Sequence, residues 1–256
     1  MGDTPYSADE ARRLETLIDD LNREPLAFVA HLGDLTSGRG PCGDEWLEAR
    51  RAQLARLRPP LVLLPGDNEW ADCHRSGFDP LERLQNWRAM FCLSRSSFSS
   101  FPFERQAGDY CEHVRWRVGD AMFVALNVPG SNNNLGRSAA MDAEHERRMF
   151  AAFEWLDESI AAAESRGASQ VVVLMHADPF PRRSPDGYAR LRNVLARHAE
   201  WLQGRLVLVH GDGHLYKDDE PLPGLRRIEV FGSPFVAWLR GVLSQGALRV
   251  EVGGQY

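Results

Sequence analysis

Long apolar runs are missing from this 256-residue chain, and none approaches the roughly 18 residues that a membrane span requires. Lysine is nearly absent while arginine is abundant, which points to base composition in the gene more than to chemistry. A net charge of −6 offers no general attraction for nucleic acid, whose non-specific binding rests on Lys and Arg meeting phosphates. Neither a nucleic-acid partner nor a membrane is therefore expected. No C-x-x-C pair occurs among Cys42, Cys73, Cys92 and Cys111, so a structural zinc site is not expected. A Rossmann nucleotide-binding domain is disfavoured, because no Gly-x-Gly-x-x-Gly follows a strand. No repeat of fixed period and no linker divides the chain, which reads as one domain over residues 1–256. No apolar h-region precedes the first helix, so the chain as written carries no signal peptide. It is cytoplasmic on that reading, and periplasmic or secreted if a longer native protein has an upstream signal.

What is present is a core-forming composition, 43% hydrophobic and 26% charged. Ser7-Ala-Asp-Glu10 has capping-box spacing, and Ala11, Leu14, Leu17, Ile18 and Leu21 follow at helical period. Gly2-Asp3 leads into this helix with no strand before it, so a first strand is expected to be missing. Apolar runs at Leu26–Leu32, Leu61–Leu64, Val171–Met175 and Leu206–Val209 read as buried strands, with Tyr110–Val118 and Ala121–Val128 as a hairpin. Arg227–Phe231 and Leu248–Val252 read as closing antiparallel strands. Helices are expected over Asp44–Leu57, Pro80–Cys92, Asp142–Arg166 and Pro185–Leu202, with a Ser/Phe-rich loop over 94–103. Cys42 and Cys73 each lie a few residues past a Gly-Asp turn. If those turns are neighbours the two sulfurs meet as a disulfide; four buried free thiols is the other reading.

The chemistry gathers where the apolar runs stop. Strand ends deliver Asp34, Asp67, His176, Asp212 and His214, with Asp3 ahead of the first helix, to one edge of a sheet, where open α/β folds place ligands. Carboxylates and imidazoles gathered in this way form a donor set for divalent metals. A lone Gly-Asp is an ordinary turn and a lone strand-end histidine is usually only hydrogen-bonded. The whole order of acids and imidazoles, each at the end of an apolar run, is much harder to obtain by chance.

Gly2-Asp3, Gly33-Asp34, Gly66-Asp67-Asn68-Glu69, His176 and Gly211-Asp212-Gly213-His214 together resemble the motifs of the calcineurin-like metallophosphoesterases. The resemblance spans nearly the whole chain. It implies an α/β fold, a four-layer α/β/β/α sandwich of mixed sheets. It also implies two divalent ions (Mn, Mg, Fe, Zn or Ca) bridged by Asp34, and hydrolysis of a small phosphoester by a hydroxide held between them. The metal ligands implied are Asp3, Asp34, Asp67, Asn68, His176, Asp212 and His214. Several motifs depart from the family pattern. Thr4-Pro5 follows Asp3 where the family has Asp-x-His, and Tyr6 is close enough in sequence to reach the site. Asp67-Asn68 stands on the family's Asn-His, so either Asp67 or Asn68 is the ligand, and Asn68 otherwise takes the place of the leaving-group histidine. Asp212 replaces a histidine. These swaps raise the carboxylate count to four, which suits two dications in a partly buried site and moves preference toward hard metals.

With the usual acid lost, Asn68, Glu69, His74 and His210 are the candidate catalytic residues, the last three as proton donors. Asn132–Asn134 are expected to face substrate oxygens, and His74 and Arg75 to contact substrate. Two rivals stand beside the hydrolase. One is a catalytically impaired binding module that keeps the fold; the other is an interaction protein docking through its aromatic stretch, Phe91 through Phe103.

Overall fold

The structure, a computed structural model, describes residues 1–92 and 102–256. In chain order the elements are α1 (Ala8–Leu21), β1 (Val29–His31), α2 (Asp44–Leu54), β2 (Leu61–Leu63), α3 (Pro80–Phe91), β3 (Glu104–Arg105), β4 (Val114–Val118) and β5 (Ala121–Ala125). There follow α4 (Gly130–Asn133), α5 (Ala139–Ser165), β6 (Gln170–Leu174), α6 (Ala189–Leu202), β7 (Leu206–His210), β8 (Lys217–Leu222), β9 (Leu225–Glu229), β10 (Ala237–Ser244) and β11 (Ala247–Gln255). A short 3-10 helix, Ala71–Ser76, lies between β2 and α3.

Seven strands form one sheet in the order β3-β4-β5-β6-β7-β9-β8, parallel from β5 through β9 and antiparallel at both edges. The parallel pair β1–β2 and the hairpin β10–β11 are separate ladders facing it. Side chains alternate across each central strand because successive residues point to opposite faces. Met122 and Val124 of β5, with Val171 and Val173 of β6, join Leu156 of α5 and Leu195 of α6. Phe123, Val172 and Val207 turn the other way, onto Leu32, Val62 and Leu64. Beyond β1 and β2, a third core packs Leu14, Leu17 and Ile18 of α1 with Leu47 of α2 and Trp87 of α3. The expected helix–sheet–sheet–helix layering is therefore what forms.

Ser7 caps α1 as expected, accepting from Glu10 N at 3.2 Å. The return bond of the box differs: Glu10 accepts from Tyr6 N at 2.8 Å and from Ser233 Oγ at 2.8 Å. No strand element precedes α1, although residues 1–3 do make backbone hydrogen bonds to the β1 segment. Met1 N donates to Ala30 O, Leu32 N to Met1 O and Asp3 N to Gly33 O, so Met1–Asp3 run beside β1 in parallel fashion.

Three strands carry no signal in the sequence, the two-residue Glu104–Arg105 among them. Lys217–Leu222 is half-exposed at the sheet edge and shows no apolar alternation, while Ala237–Ser244 is buried only at its start. Arg227–Phe231 and Leu248–Val252 fall in antiparallel pairings as expected: β9, parallel to β7, is antiparallel to β8, and β11 is antiparallel to β10. Cys42 bonds Cys73, and Cys92 bonds Cys111, so the free-thiol reading is set aside. Most of the Phe91–Phe103 stretch lies outside the described residues. Among the described residues no helix is long and apolar enough to cross a membrane.

The Asn-rich segment is a left-handed turn, with φ of 47° to 65° from Ser131 to Asn134, a conformation asparagine tolerates better than most residues. Arg148 of α5, fully buried, holds it. Its guanidinium donates to Asn127 O (3.0 Å), Asn133 O (3.0 Å) and Asn133 Oδ1 (2.7 Å), and pairs with Glu144 at 2.7 Å. Removing that cation leaves buried Glu144 without its counter-charge and takes a donor from Asn127 O and Asn133 Oδ1. Arg148→Met is expected to lower unfolding free energy by about 3–5 kcal/mol, measured by urea denaturation.

Candidate metal centre

Five backbone segments end at one spot: Met1–Asp3, and the carboxyl ends of β1, β2, β6 and β7. The turns are tight. Asp3, Asp34, Asp212 and His214 all have positive φ, between 53° and 71°, a strain of about 1–2 kcal/mol each for residues with a Cβ. Strain of this kind clusters where surrounding structure over-determines the backbone, often at functional sites. The turns also pass close to one another. A Cβ at Gly66 would overlap the Asp34 carboxylate, and one at Gly211 would overlap Asp3.

Two groups of donors meet, and His176 belongs to both: Asp3, Asp34 and His176 in one, Asp67, His176 and Asp212 in the other. His176 Nε2 lies 3.0 Å from Asp67, 3.5 Å from Asp34 and 3.8 Å from Asp212. His214 Nε2 lies 3.7 Å from Asp3. Both imidazoles are aimed by their far nitrogens. His176 Nδ1 donates to Leu32 O at 2.9 Å and His214 Nδ1 to Ser233 O at 2.8 Å, so each presents Nε2 to the site. Histidine ligands are usually oriented by such carbonyl bonds. The donor set fits divalent cations.

Electrostatics say the same. Burial raises Asp3, drives Asp34 well above the carboxylate range, and lifts Asp212 to about 7. Burial also opposes the Asp67 anion, but the hydrogen bond and charge of His176, with Ser131 and Asp72, hold it at about 2. Burial pulls His176 down, yet Asp34, Asp67, Asp3 and Asp212 together keep its pKa well above normal. Four carboxylates at this depth cost free energy until positive charge joins them.

The site opens into a pocket of about 610 Å³, whose walls include Tyr6, Asn68, Arg75, Arg183, Tyr188 and Lys217. Asn68 lines the pocket, with Nδ2 donating to Asp34 Oδ2 (2.5 Å) and Thr36 O (2.9 Å). The other three candidate proton donors do not line this pocket. Glu69 is fully buried and clamps two turns, accepting from Leu35 N (2.8 Å) and Gly66 N (3.1 Å). His74 turns to Ala71 O and Arg137. His210 is buried with Asp178 and Glu229, its Nδ1 donating to Gly211 O at 2.7 Å; burial lowers it to about 4, leaving it neutral at pH 7. Asn132–Asn134 also miss the pocket: their amides bond Leu135 O, Gly187 O and Glu144, bracing the turn. Arg75 does reach it, paired with Asp72 at 2.5 Å. Asp72, Lys217 and Arg183 carried no strand-end signal in the sequence.

No protein-family model matches the chain, and no curated protein matches it by sequence. Its likeness is to solved structures. A dimetal phosphatase from Danio rerio superposes with a TM-score of 0.55 at 16% identity, covering 89% of this chain and 79% of its own. GAP50, the anchor in the inner membrane complex of Plasmodium, superposes with a TM-score of 0.52 at 11% identity, covering 90% and 70%. At these identities the likeness is one of fold. The chain has a metallophosphoesterase-like fold, and its buried acid–histidine groups are compatible with divalent metal ions.

Two predictions follow from the packing and charge of the site. Gly66→Ala forces Asp34 aside and should cost about 1–3 kcal/mol of stability in denaturant melts. In chelator-treated protein, raised carboxylates (Asp34, and Asp212 at about 7) and the raised His176 all favour folding when protonated. That contribution is complete at low pH and lost as pH climbs through the folded values. Buried His31, His113 and His210, held below the usual imidazole range, act with the opposite sign, so the readout is the metal's own effect. The rise in melting temperature on adding Mn²⁺ should grow from about pH 5 to about pH 8, since metal replaces the site's protons.

Proposed function

We propose that the chain is a metal-dependent phosphoesterase acting on a small phosphoester. The observation that carries this reading is the Asp34 carboxylate, which lies between His176 on one side and the Tyr6–His214 side on the other. A first ion would be held by Asp3, Asp34 and His214, and a second by Asp34, Asp67, His176 and Asp212. Bound divalent ions supply an activated water and neutralise the phosphoryl oxygens. The chain's own residues do the rest. Arg75 and Lys217 offer positive charge to the substrate anion from two walls of the pocket. Asn68, with Nδ2 donating to Asp34 Oδ2 and Thr36 O, holds the Asp34 carboxylate in place.

No imidazole or carboxylic acid among the former candidates faces the leaving group, which shapes the expected substrate range. Aryl esters leave without a proton; alkyl esters need one. Bis- and mono-4-nitrophenyl phosphates with Mn²⁺ should be turned over far faster than alkyl phosphates. Asp34→Asn should reduce the aryl rate by about a thousandfold or more. Unchanged turnover in that variant removes the bridging role.

That Glu69, His74 and His210 all turn away from the pocket favours a second reading, a binding module that holds metal without turnover. The fold likeness to an anchor protein is in keeping with it. Calorimetric metal binding with no phosphate release from aryl esters would select that reading over the first.

A further inference from the structure

The left-handed Asn turn holds more than itself. Beside it run residues 178–188, which follow β6 and give Asp178, Pro181, Arg183 and Tyr188 to the pocket wall. Both ends of that segment are pinned. At one end Asn133 Nδ2 donates to Gly187 O and Gly187 N to Asn132 Oδ1, each at 3.0 Å, and Tyr188 Oη donates to Pro129 O at 2.8 Å. At the other, Asp178 pairs with Arg227 at 3.2 Å and Arg192 Nη1 donates to Pro179 O at 2.7 Å. Residues 181–185 between them are exposed, a short stretch held at two fixed points.

Arg75, Arg183 and Lys217 are the cationic side chains on the pocket wall, and they differ in one respect. Arg75 faces Asp72 at 2.5 Å and donates to Gly38 O at 3.0 Å. Lys217 Nζ faces Glu229 at 2.5 Å, with Asp178 at 3.8 Å. Each can still touch a phosphoryl oxygen, but each brings its counter-charge with it. Arg183 brings none: among the described residues it has no ion pair and no hydrogen bond. Two divalent ions would cancel the four carboxylates at the centre, which leaves Arg183 as an uncompensated cation on the wall. The pocket, about 610 Å³, is also of the size that takes a whole small molecule, roughly 300–1,000 Å³, so a substrate extends past its reacting phosphoryl group.

We propose that Arg183 determines substrate specificity by taking a second oxyanion, a carboxylate or a phosphate carried on the part of the ester that does not react. Its guanidinium presents paired N–H groups whose spacing matches either anion. Fixing the backbone on both sides lowers the ordering cost of that contact, and this is the part the Asn turn plays. The substrate class is then a small phosphoester with two anionic groups. This assignment deepens the phosphoesterase reading and rests on it.

Calorimetric binding of slowly hydrolysed alkyl esters to the Mn²⁺-loaded protein tests it. The probes are ethyl phosphate, phosphoglycolate, which adds a carboxylate, and ethylene glycol bisphosphate, which adds a phosphate. The wild type is expected to bind at least one two-anion probe about tenfold or more tightly than ethyl phosphate, and the stronger arm identifies the anion. Arg183→Gln should reduce that preference to about twofold or less. Arg182→Gln removes the same charge from a side chain that is not on the pocket wall, and should keep it. No difference among the three probes in the wild type, a preference that survives in Arg183→Gln, or one that Arg182→Gln abolishes equally, overturns the assignment. Where aryl phosphates are turned over, the phosphoesterase reading stands in each of those cases. No binding of any probe together with no aryl turnover overturns both.

Discussion

Like-charge crowding is the constraint around which this molecule is arranged. Asp3, Asp34 and Asp67 converge where water is scarce, partly exposed Asp212 joins them at the rim, and the fold must hold all four against mutual repulsion. Their positions are not set by flexible side chains. Each sits on a turn so short that the backbone itself is displaced into the left-handed region or pressed against glycine on a neighbouring turn. Rigid turns are what keep the acids from swinging out to solvent.

Several features elsewhere act on those turns. Glu69 joins the turn after β2 to the turn after β1 through two backbone N–H groups. The Cys42–Cys73 bond fastens the loop beyond Asp34 to the 3-10 helix beyond Asp67, closing a loop worth about 3–4 kcal/mol in the chain-entropy picture. Arg148 reaches from α5 to anchor the left-handed Asn turn, which brings Ser131 to within 2.8 Å of Asp72 at the pocket wall. The two imidazoles are aimed by carbonyls of Leu32 and Ser233. Core, crosslink and second-layer hydrogen bonds thus serve one small volume.

Much of this was legible beforehand, and the reasons differ by residue. Asp34, Asp67, His176 and Asp212 were visible because each ends a run of apolar residues, and strand ends in such sheets share an edge. The layering was expected from the family resemblance, and the apolar runs of β5, β6 and β7 mark the buried strands that it requires. Lys217–Leu222 was not, since a charged edge strand takes its structure from its neighbour's backbone and needs no alternation of its own. Arg148 was invisible for a related reason: one arginine among many shows nothing of its burial until α5 has docked.

Glu69, His74, His210 and Asn132–Asn134 mark the boundary most clearly. Closeness along the chain suggested that all of them serve the chemistry, and it did place their backbones nearby. Side-chain direction was decided otherwise, by whichever unsatisfied backbone group or buried charge lay within reach once the sheets had packed. Glu69 went to two orphan N–H groups and the asparagines to carbonyls and Glu144, whereas Tyr6, separated from Asp3 by a proline, turned inward. Local pattern sets where strands stop because hydrophobic periodicity is a property of neighbouring residues. Which donors face one another is a property of the assembled layers, where hydrogen-bond satisfaction across distant segments outweighs sequence proximity.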